Sequence, residues 1–81
     1  MQYGTIKWFN GRERPFGFIK REGGGVIYFH YDDCMLLAAD GQSFTSDRDF
    51  SYTPQVGGRV CFEVLKKNGK SKARPWAVLP T

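Results

Sequence analysis

The chain has 81 residues, with 12 Lys and Arg against 8 Asp and Glu, giving a formal net charge of +4 and a pI near 9.3. This length supplies one hydrophobic core, so we expect a single domain over residues 1–81 rather than two independent ones. The positive balance favours a polyanionic partner, and no apolar run reaches the roughly 20 residues that a membrane-spanning helix needs.

Five short segments are predicted to be β-strands, because β-branched and aromatic residues concentrate in them and turn residues separate them. In chain order they cover about residues 3–10, 16–21, 26–31, 58–65 and 73–79. Residues from about 32 to 56 are predicted to form a long loop, since they have no regular period. Tight turns joining most of the strands predict an all-β fold, a closed five-stranded antiparallel barrel with an extended loop between strands 3 and 4.

Aromatic rings occupy every second position of the second and third predicted strands. Since side chains alternate between the two faces of a strand, Phe16 and Phe18 share one face, and Tyr28 and His30 share one face. The opposite face carries the residues predicted to form the core: Ile19, Ile27 and Phe29. Flat rings left on the solvent face beside basic residues indicate a platform on which unpaired bases stack.

Three motifs stand in the order and spacing of a known family: Gly4-Thr5-Ile6-Lys7-Trp8-Phe9-Asn10, Phe16-Gly17-Phe18-Ile19 and Ile27-Tyr28-Phe29-His30-Tyr31. With Gly58-Arg59-Val60-Cys61-Phe62-Glu63-Val64 as a similar fourth strand, the chain resembles the cold-shock domain of bacterial cold-shock proteins and Y-box proteins. The resemblance covers about residues 3–31 and 57–79 and implies a Greek-key barrel of the oligonucleotide-binding (OB) type.

The resemblance implies binding of single-stranded RNA or DNA without enzymatic activity, in RNA chaperoning or transcript regulation. It assigns base stacking to six side chains: Trp8, Phe16, Phe18, Tyr28, His30 and Tyr31. It also implies a base or backbone contact for Lys7 and places Asn10 in the lining of the site. Four cations are predicted to attract phosphates in a salt-dependent way: Lys7, Arg14, Lys20 and Arg74.

The chain departs from the family pattern near the site. Pro15 stands where the second motif normally has glycine, which fixes φ and alters the approach to Phe16. Strict alternation would put Ile6 and Trp8 on one face, so the family pattern requires a bulge or a strong twist in the first strand. Pro75 indicates a sheet edge or a bulge in the last strand, and Trp76 is predicted to pack in the core or at the barrel end.

The long loop and the basic turn around Asn68-Gly69 leave two questions open. The loop aromatics either cover the platform or extend it, and they are Phe44, Phe50 and Tyr52. We expect the acidic loop residues Asp47 and Asp49 to compete with phosphates, so that deleting residues 40–53 tightens binding at low salt. The turn's cations either are simply solvated or contact phosphate, and they are Lys66, Lys67, Lys70, Lys72 and Arg74.

Other functions remain as alternatives. The same aromatic face would suit a protein- or peptide-binding barrel, whereas an RNA-recognition motif needs two packed helices for which the sequence has no pattern. We do not predict a cofactor or a metal site, because His30, Asp33, Cys34 and Cys61 lack the spacing of zinc ligands. Nor do we predict an enzyme, because the sequence shows no set of nucleophile, base and orienting residue, although a pairing of Cys with His in space stays open. The expected partner is single-stranded RNA or DNA and not a membrane.

The two cysteines and the start of the chain bear on location. No signal peptide is recognisable, so we expect a cytoplasmic protein with reduced thiols, although pairing of Cys34 with Cys61 stays open. A monomer is expected, with a dimer left open.

Overall fold

The computed structural model describes residues 1–9, 11, 14–46 and 53–79. In chain order the elements are β1 (Gln2–Phe9), β2 (Phe16–Arg21), β3 (Val26–His30), a 3₁₀ turn (Tyr31–Asp33), β4 (Leu36–Leu37), β5 (Phe44–Thr45), β6 (Arg59–Lys67) and β7 (Lys70–Val78). Within the described residues, no helix is long and apolar enough to cross a membrane.

Five of the strands close into a barrel in the order β1-β2-β3-β7-β6, with β6 pairing back onto β1. The predicted all-β, five-stranded barrel is therefore confirmed. One pairing differs from an antiparallel barrel, because β3 and β7 run parallel, with Tyr28 opposite Lys72. The reason is geometric: around a closed ring with an odd number of strands, directions cannot alternate throughout, so one neighbouring pair must be parallel.

The β6–β7 hairpin is longer than the sequence predicted. The two-residue turn has positive φ at both positions, 53° at Asn68 and 77° at Gly69, as the right-handed twist of a hairpin favours. Pairing therefore continues to the last residues before the turn, where Lys67 lies opposite Lys70. The lysine-rich end of the hairpin consequently extends past the part of β6 that pairs with β1, which ends at Phe62.

The segment predicted as a loop contains regular structure. Leu36 pairs with Thr45 and Leu37 with Phe44 in a small antiparallel sheet of β4 and β5. The strands are only two residues long, too short to produce a visible alternation in the sequence. Residues 47–52, including the acidic positions expected to compete with phosphates, lie outside the described residues.

The barrel interior is apolar and includes the predicted face of β2 and β3. Ile19 and Phe29 have no exposed surface, and Ile27 is nearly as buried. The remaining members of this core are Ile6, Val60, Phe62, Ala73 and Trp76. Of the two packing positions predicted for Trp76, the structure shows the one in the core, and its indole N–H bonds to the last residue of β3.

Two bulges shape the strands that carry the site. In β1, Ile6 pairs with Ile19 but Trp8 pairs with Phe18, so Lys7 is an extra residue on the β1 side. This bulge turns Ile6 into the core and Trp8 out to solvent, as the family pattern requires. In β7 the register shifts at Pro75, so a bulge rather than a sheet edge accommodates the proline.

Candidate functional site

The aromatic platform is a set of five rings on the outer face of β1, β2 and β3: Trp8, Phe16, Phe18, Tyr28 and His30. Its first row crosses all three strands, because Trp8 pairs with Phe18 and Phe18 pairs with Tyr28. A second row is formed where Phe16 lies opposite His30. Directly opposed residues have Cβ atoms about 4.5–5.5 Å apart, so the pairing itself brings these side chains together.

The rings contact one another without covering one another's faces. Centroid distances among the four carbocyclic and indole rings run from 5.5 Å for Phe16–Tyr28 to 6.4 Å for Phe16–Phe18. Their interplanar angles run from 35° to 90°, which is tilted or edge-to-face packing. Trp8 is 40% exposed and Phe18 is 37% exposed, so ring surface is left for a ligand.

Gly17 lets the platform strand approach β1 closely. A Cβ atom at this position would clash with the carbonyl oxygen of Trp8 and lie 2.8 Å from Cε1 of Phe29. Since real Cβ atoms do not approach other atoms so closely, only glycine fits between the two platform residues Phe16 and Phe18.

His30 is held at the end of β3 from two directions. Its Nδ1 accepts a hydrogen bond of 3.1 Å from the backbone N–H of Asp32. With Nδ1 as acceptor, the neutral imidazole carries its proton on Nε2, which is then a potential donor to a base. The backbone carbonyl of His30 accepts a 2.9 Å hydrogen bond from the indole Nε1 of Trp76.

Tyr31 lies apart from the aromatic platform. The β3 strand ends at His30, and Tyr31 begins the 3₁₀ turn, so the strand alternation no longer sets its direction. Its ring is 6.3 Å from that of Phe9, which in turn stacks on the core ring Phe29 at 5.8 Å and 17°.

Sequence reasoning missed Phe9 as a neighbour of the site. Phe9 and Tyr31 border a recess of about 480 Å³ beside Pro15 and Pro54. The bulge at Lys7 turns Phe9 towards the core, where it is half-buried, and its adjacency to Trp8 in the first motif was the available signal.

Three of the predicted cations are exposed on or next to the strands that carry the platform. Lys20 follows Phe16 and Phe18 at the same spacing along β2 and is exposed on the same face. Lys7 is exposed on the β1 bulge and Arg14 is exposed just before β2. Asn10, predicted to line the site, lies outside the described residues.

A groove of about 1000 Å³ adjoins the platform at Phe18 and Tyr28. We call it the basic groove, because five cations line it: Arg21, Lys67, Lys70, Lys72 and Arg74. The hairpin register explains the set, since Lys67 lies opposite Lys70 and Leu65 lies opposite Lys72 on one face. Lys66 does not line this groove, as expected for the neighbour of Lys67 in a strand.

Nucleophilic and metal chemistry gain no support from the described residues. Burial raises the pKa of the Cys34 thiol to about 11, and burial likewise raises the pKa of Cys61. Both are free thiols, and both stay protonated near neutral pH, the weakly nucleophilic form. Among the described residues no group of three His, Cys, Asp or Glu could hold a metal ion. That the chain is not an enzyme stays a prediction.

Comparison with known proteins gives one family and several relatives. The family model described as "'Cold-shock' DNA-binding domain" matches residues 2–76. The chain is 38% identical over 68 residues to the cold shock-like protein CspD of Bacillus cereus, covering 84% of this chain and 83% of that protein. It is 46% identical over 66 residues to the cold shock-like protein CspLB of Listeria monocytogenes, covering 82% and 80% respectively.

A solved structure has the same fold at low sequence identity. The structure described as "drosophila Unr CSD456" superposes with a TM-score of 0.67 and 21% identity over 98% of this chain. The present chain spans 26% of that structure.

Proposed function

We propose that this chain, which belongs to the cold-shock domain family and binds single-stranded nucleic acid, does so by stacking unpaired bases on the aromatic platform. The observation that carries the proposal is the row of rings formed by Trp8, Phe18 and Tyr28 across three paired strands. Each stacked base is worth about 1–3 kcal/mol by alanine substitution, and stacking tolerates any base because every base has a π-face.

Phosphate attraction supplies the rest of the proposed affinity. Lys7, Arg14 and Lys20 are exposed on or next to the platform strands, and Arg74 lines the basic groove. Neutralising phosphates releases counterions, so binding weakens as the salt concentration rises. We include Asn10 and Tyr31 in the proposed interface on the family motif, with Tyr31 contacting the strand away from the platform.

The biological role that we propose is RNA chaperoning or transcript regulation in the cytoplasm. Sequence-tolerant stacking supports it, since a chaperone of unpaired strands must accept many sequences. We further propose that the chain is a single domain acting as a monomer.

Titration of intrinsic fluorescence with a single-stranded thymidine oligonucleotide tests the proposal. Trp8 is 40% exposed whereas Trp76 has no exposed surface, so a stacked base is expected to quench Trp8. The titration is run at a low and a high salt concentration, and the apparent Kd is expected to rise with salt.

The alternative is a protein- or peptide-binding barrel that uses the same apolar rings. Absence of quenching at low salt would contradict the nucleic-acid proposal and favour this alternative.

A further inference from the structure

Asp33 lies between two cations of the basic groove. It ends the 3₁₀ turn after β3, and its side chain is only 13% exposed. Its Oδ1 is 3.3 Å from Nε of Arg74, and its Oδ2 is 3.5 Å from Nζ of Lys72. The family motifs assign no role to this position, and the sequence alone did not link it to the cations.

The ion pair with Asp33 uses the Nε side of the Arg74 guanidinium. Arg74 meets Asp33 through Nε, and within the part of the chain that the structure describes no other ion pair involves its guanidinium, so the two terminal nitrogens can take a second anion. The Arg74 side chain is more than half exposed, in contrast to the carboxylate that holds it. A planar guanidinium that is paired through Nε still has the fork of its terminal nitrogens, whose geometry suits phosphate oxygens.

The Asp33 carboxylate is largely buried and is paired with cations. Among the described residues, Oδ2 is buried and accepts no hydrogen bond, so the ion pair with Lys72 is its one recorded partner. A charge withdrawn from water in this way is costly unless cations compensate it. Asp33, Lys72 and Arg74 are therefore expected to stay together in the free protein.

The sheet places this cluster beside the platform. Lys72 lies directly opposite Tyr28 in the parallel pairing of β3 with β7. Both cations line the groove into which Phe18 and Tyr28 also open. A strand whose base stacks on Tyr28 would therefore pass its adjoining phosphate next to the two cations.

We propose that Asp33 is a positioning residue that holds Lys72 and Arg74 as a phosphate subsite next to Tyr28. The subsite takes the phosphate that adjoins the base stacked on Tyr28, and it rests on the nucleic-acid binding proposed above. Asp33 does not contact the ligand and acts through the two cations.

The direction in which Asp33→Asn changes the affinity for a polyanion distinguishes a positioning role of Asp33 from an effect of net charge alone. Asp33→Asn removes a negative charge near the groove, so electrostatics alone would tighten the binding of a polyanion. Positioning makes the opposite prediction, because the freed side chains lose their fixed geometry and must be ordered by the ligand. Weaker binding in a more positive protein is therefore specific to positioning.

The experiment titrates wild type, Asp33→Asn and Glu63→Gln with a fluorescein-labelled thymidine oligonucleotide over a salt series. Glu63 on β6 pairs with the N-terminus and does not line the groove, so its substitution makes the same charge change elsewhere. We expect Asp33→Asn to weaken binding several-fold at low salt, and to lower the slope of log K against log salt by up to about 0.7 for each lost contact. Glu63→Gln is expected to bind as wild type or slightly more tightly. The effect of Asp33→Asn should shrink in an Arg74→Ala background.

Tighter or unchanged binding by Asp33→Asn, or an undiminished effect in the Arg74→Ala background, would overturn the inference. If wild type does not bind the oligonucleotide at all, the proposed function fails instead, so the two failures are distinguishable.

A second variant tests the inference if Asp33→Asn does not fold. If Asp33→Asn is partly unfolded at the titration temperature, Arg74→Lys takes its place, because it keeps the charge but replaces the planar guanidinium, whose Nε and terminal nitrogens can serve two anions, with a single ammonium nitrogen. This variant is expected to weaken binding several-fold, and wild-type affinity would overturn the inference.

Discussion

Trp76, which has no exposed surface, donates its indole N–H to the backbone carbonyl of His30 over 2.9 Å. One of the most buried side chains of the core thus fixes the strand end that carries a platform residue. The same tryptophan packs edge-on against Phe29, at a centroid distance of 4.8 Å. The stability of the barrel and the geometry of the site are therefore joined in one contact.

Trp76→Phe should lower the free energy of unfolding by about 1–3 kcal/mol, because it leaves the carbonyl of His30 without this donor and removes buried ring volume. Urea denaturation followed by circular dichroism measures the loss. An unfolding midpoint equal to that of wild type would show that the hydrogen bond contributes nothing.

Gly17→Ala should destabilise the barrel by about 1–3 kcal/mol or more, because the new Cβ meets Phe29 and the backbone of Trp8. Gly23→Ala is the matched control, since nothing lies within 4 Å of a Cβ atom there. Thermal unfolding of the two variants should differ clearly. Equal melting temperatures would contradict the close approach of β1 and β2.

Lys67→Ala and Lys66→Ala test the basic groove with two adjacent lysines. Both remove one positive charge from the same hairpin, but only Lys67 of the two lines the groove. Lys67→Ala should weaken oligonucleotide binding at low salt. It should also reduce the slope of log K against log salt concentration by about 0.7, which is the contribution of one phosphate contact with a single strand. Lys66→Ala should lower affinity less and leave the slope nearly unchanged. Identical slopes for both would mean that the hairpin acts only through its net charge.

The thiols should react slowly in the folded protein. Burial raises the pKa of Cys34 to about 11, so at pH 8 the thiolate that attacks iodoacetamide is scarce. The labelling rate should rise as the pH approaches that value. Because the pKa is higher in the folded state, the associated stability is present below the unfolded pKa of 9.0 and is lost as the pH rises from there through about 11.

Unfolding in urea should accelerate labelling of both cysteines at pH 8. Mass spectrometry counts the alkylated thiols, and rapid native labelling at pH 8 would contradict the protected environment.

Much of the fold could be predicted because local signals agreed with the barrel. The alternation in β2 and β3 identified both faces of the sheet. Phe16 and Phe18 were assigned to the platform face, and Ile27 and Phe29 to the buried face. The parallel pair of β3 and β7 was missed although strand count alone requires one in a closed ring of five. The hairpin of β4 and β5 was missed because two residues per strand give no measurable period.

The site was harder to predict where side chains do not follow the regular alternation between the two faces of a strand. The outward direction of Trp8 depends on one extra residue, Lys7, and a bulge of this kind leaves no periodic signal. Tyr31 was grouped with the platform on the family motif alone, since strict alternation would have put it on the face of Ile27 and Phe29; in the structure β3 ends at His30 and Tyr31 begins the 3₁₀ turn. The pairing of Asp33 with Arg74 joins residues that lie far apart in the sequence, so only the folded structure brings them together.

The most direct test of base stacking compares Phe18→Ala with Tyr3→Ala in oligonucleotide titrations. The two rings are equally exposed, at 37% and 38%, but Tyr3 pairs with Cys61 on β6 and does not belong to the platform. Phe18→Ala should raise the Kd for a single-stranded oligonucleotide about tenfold, with a circular dichroism spectrum like that of wild type. Tyr3→Ala should bind as wild type. Equal affinities of the two folded variants would contradict the aromatic platform as the binding surface.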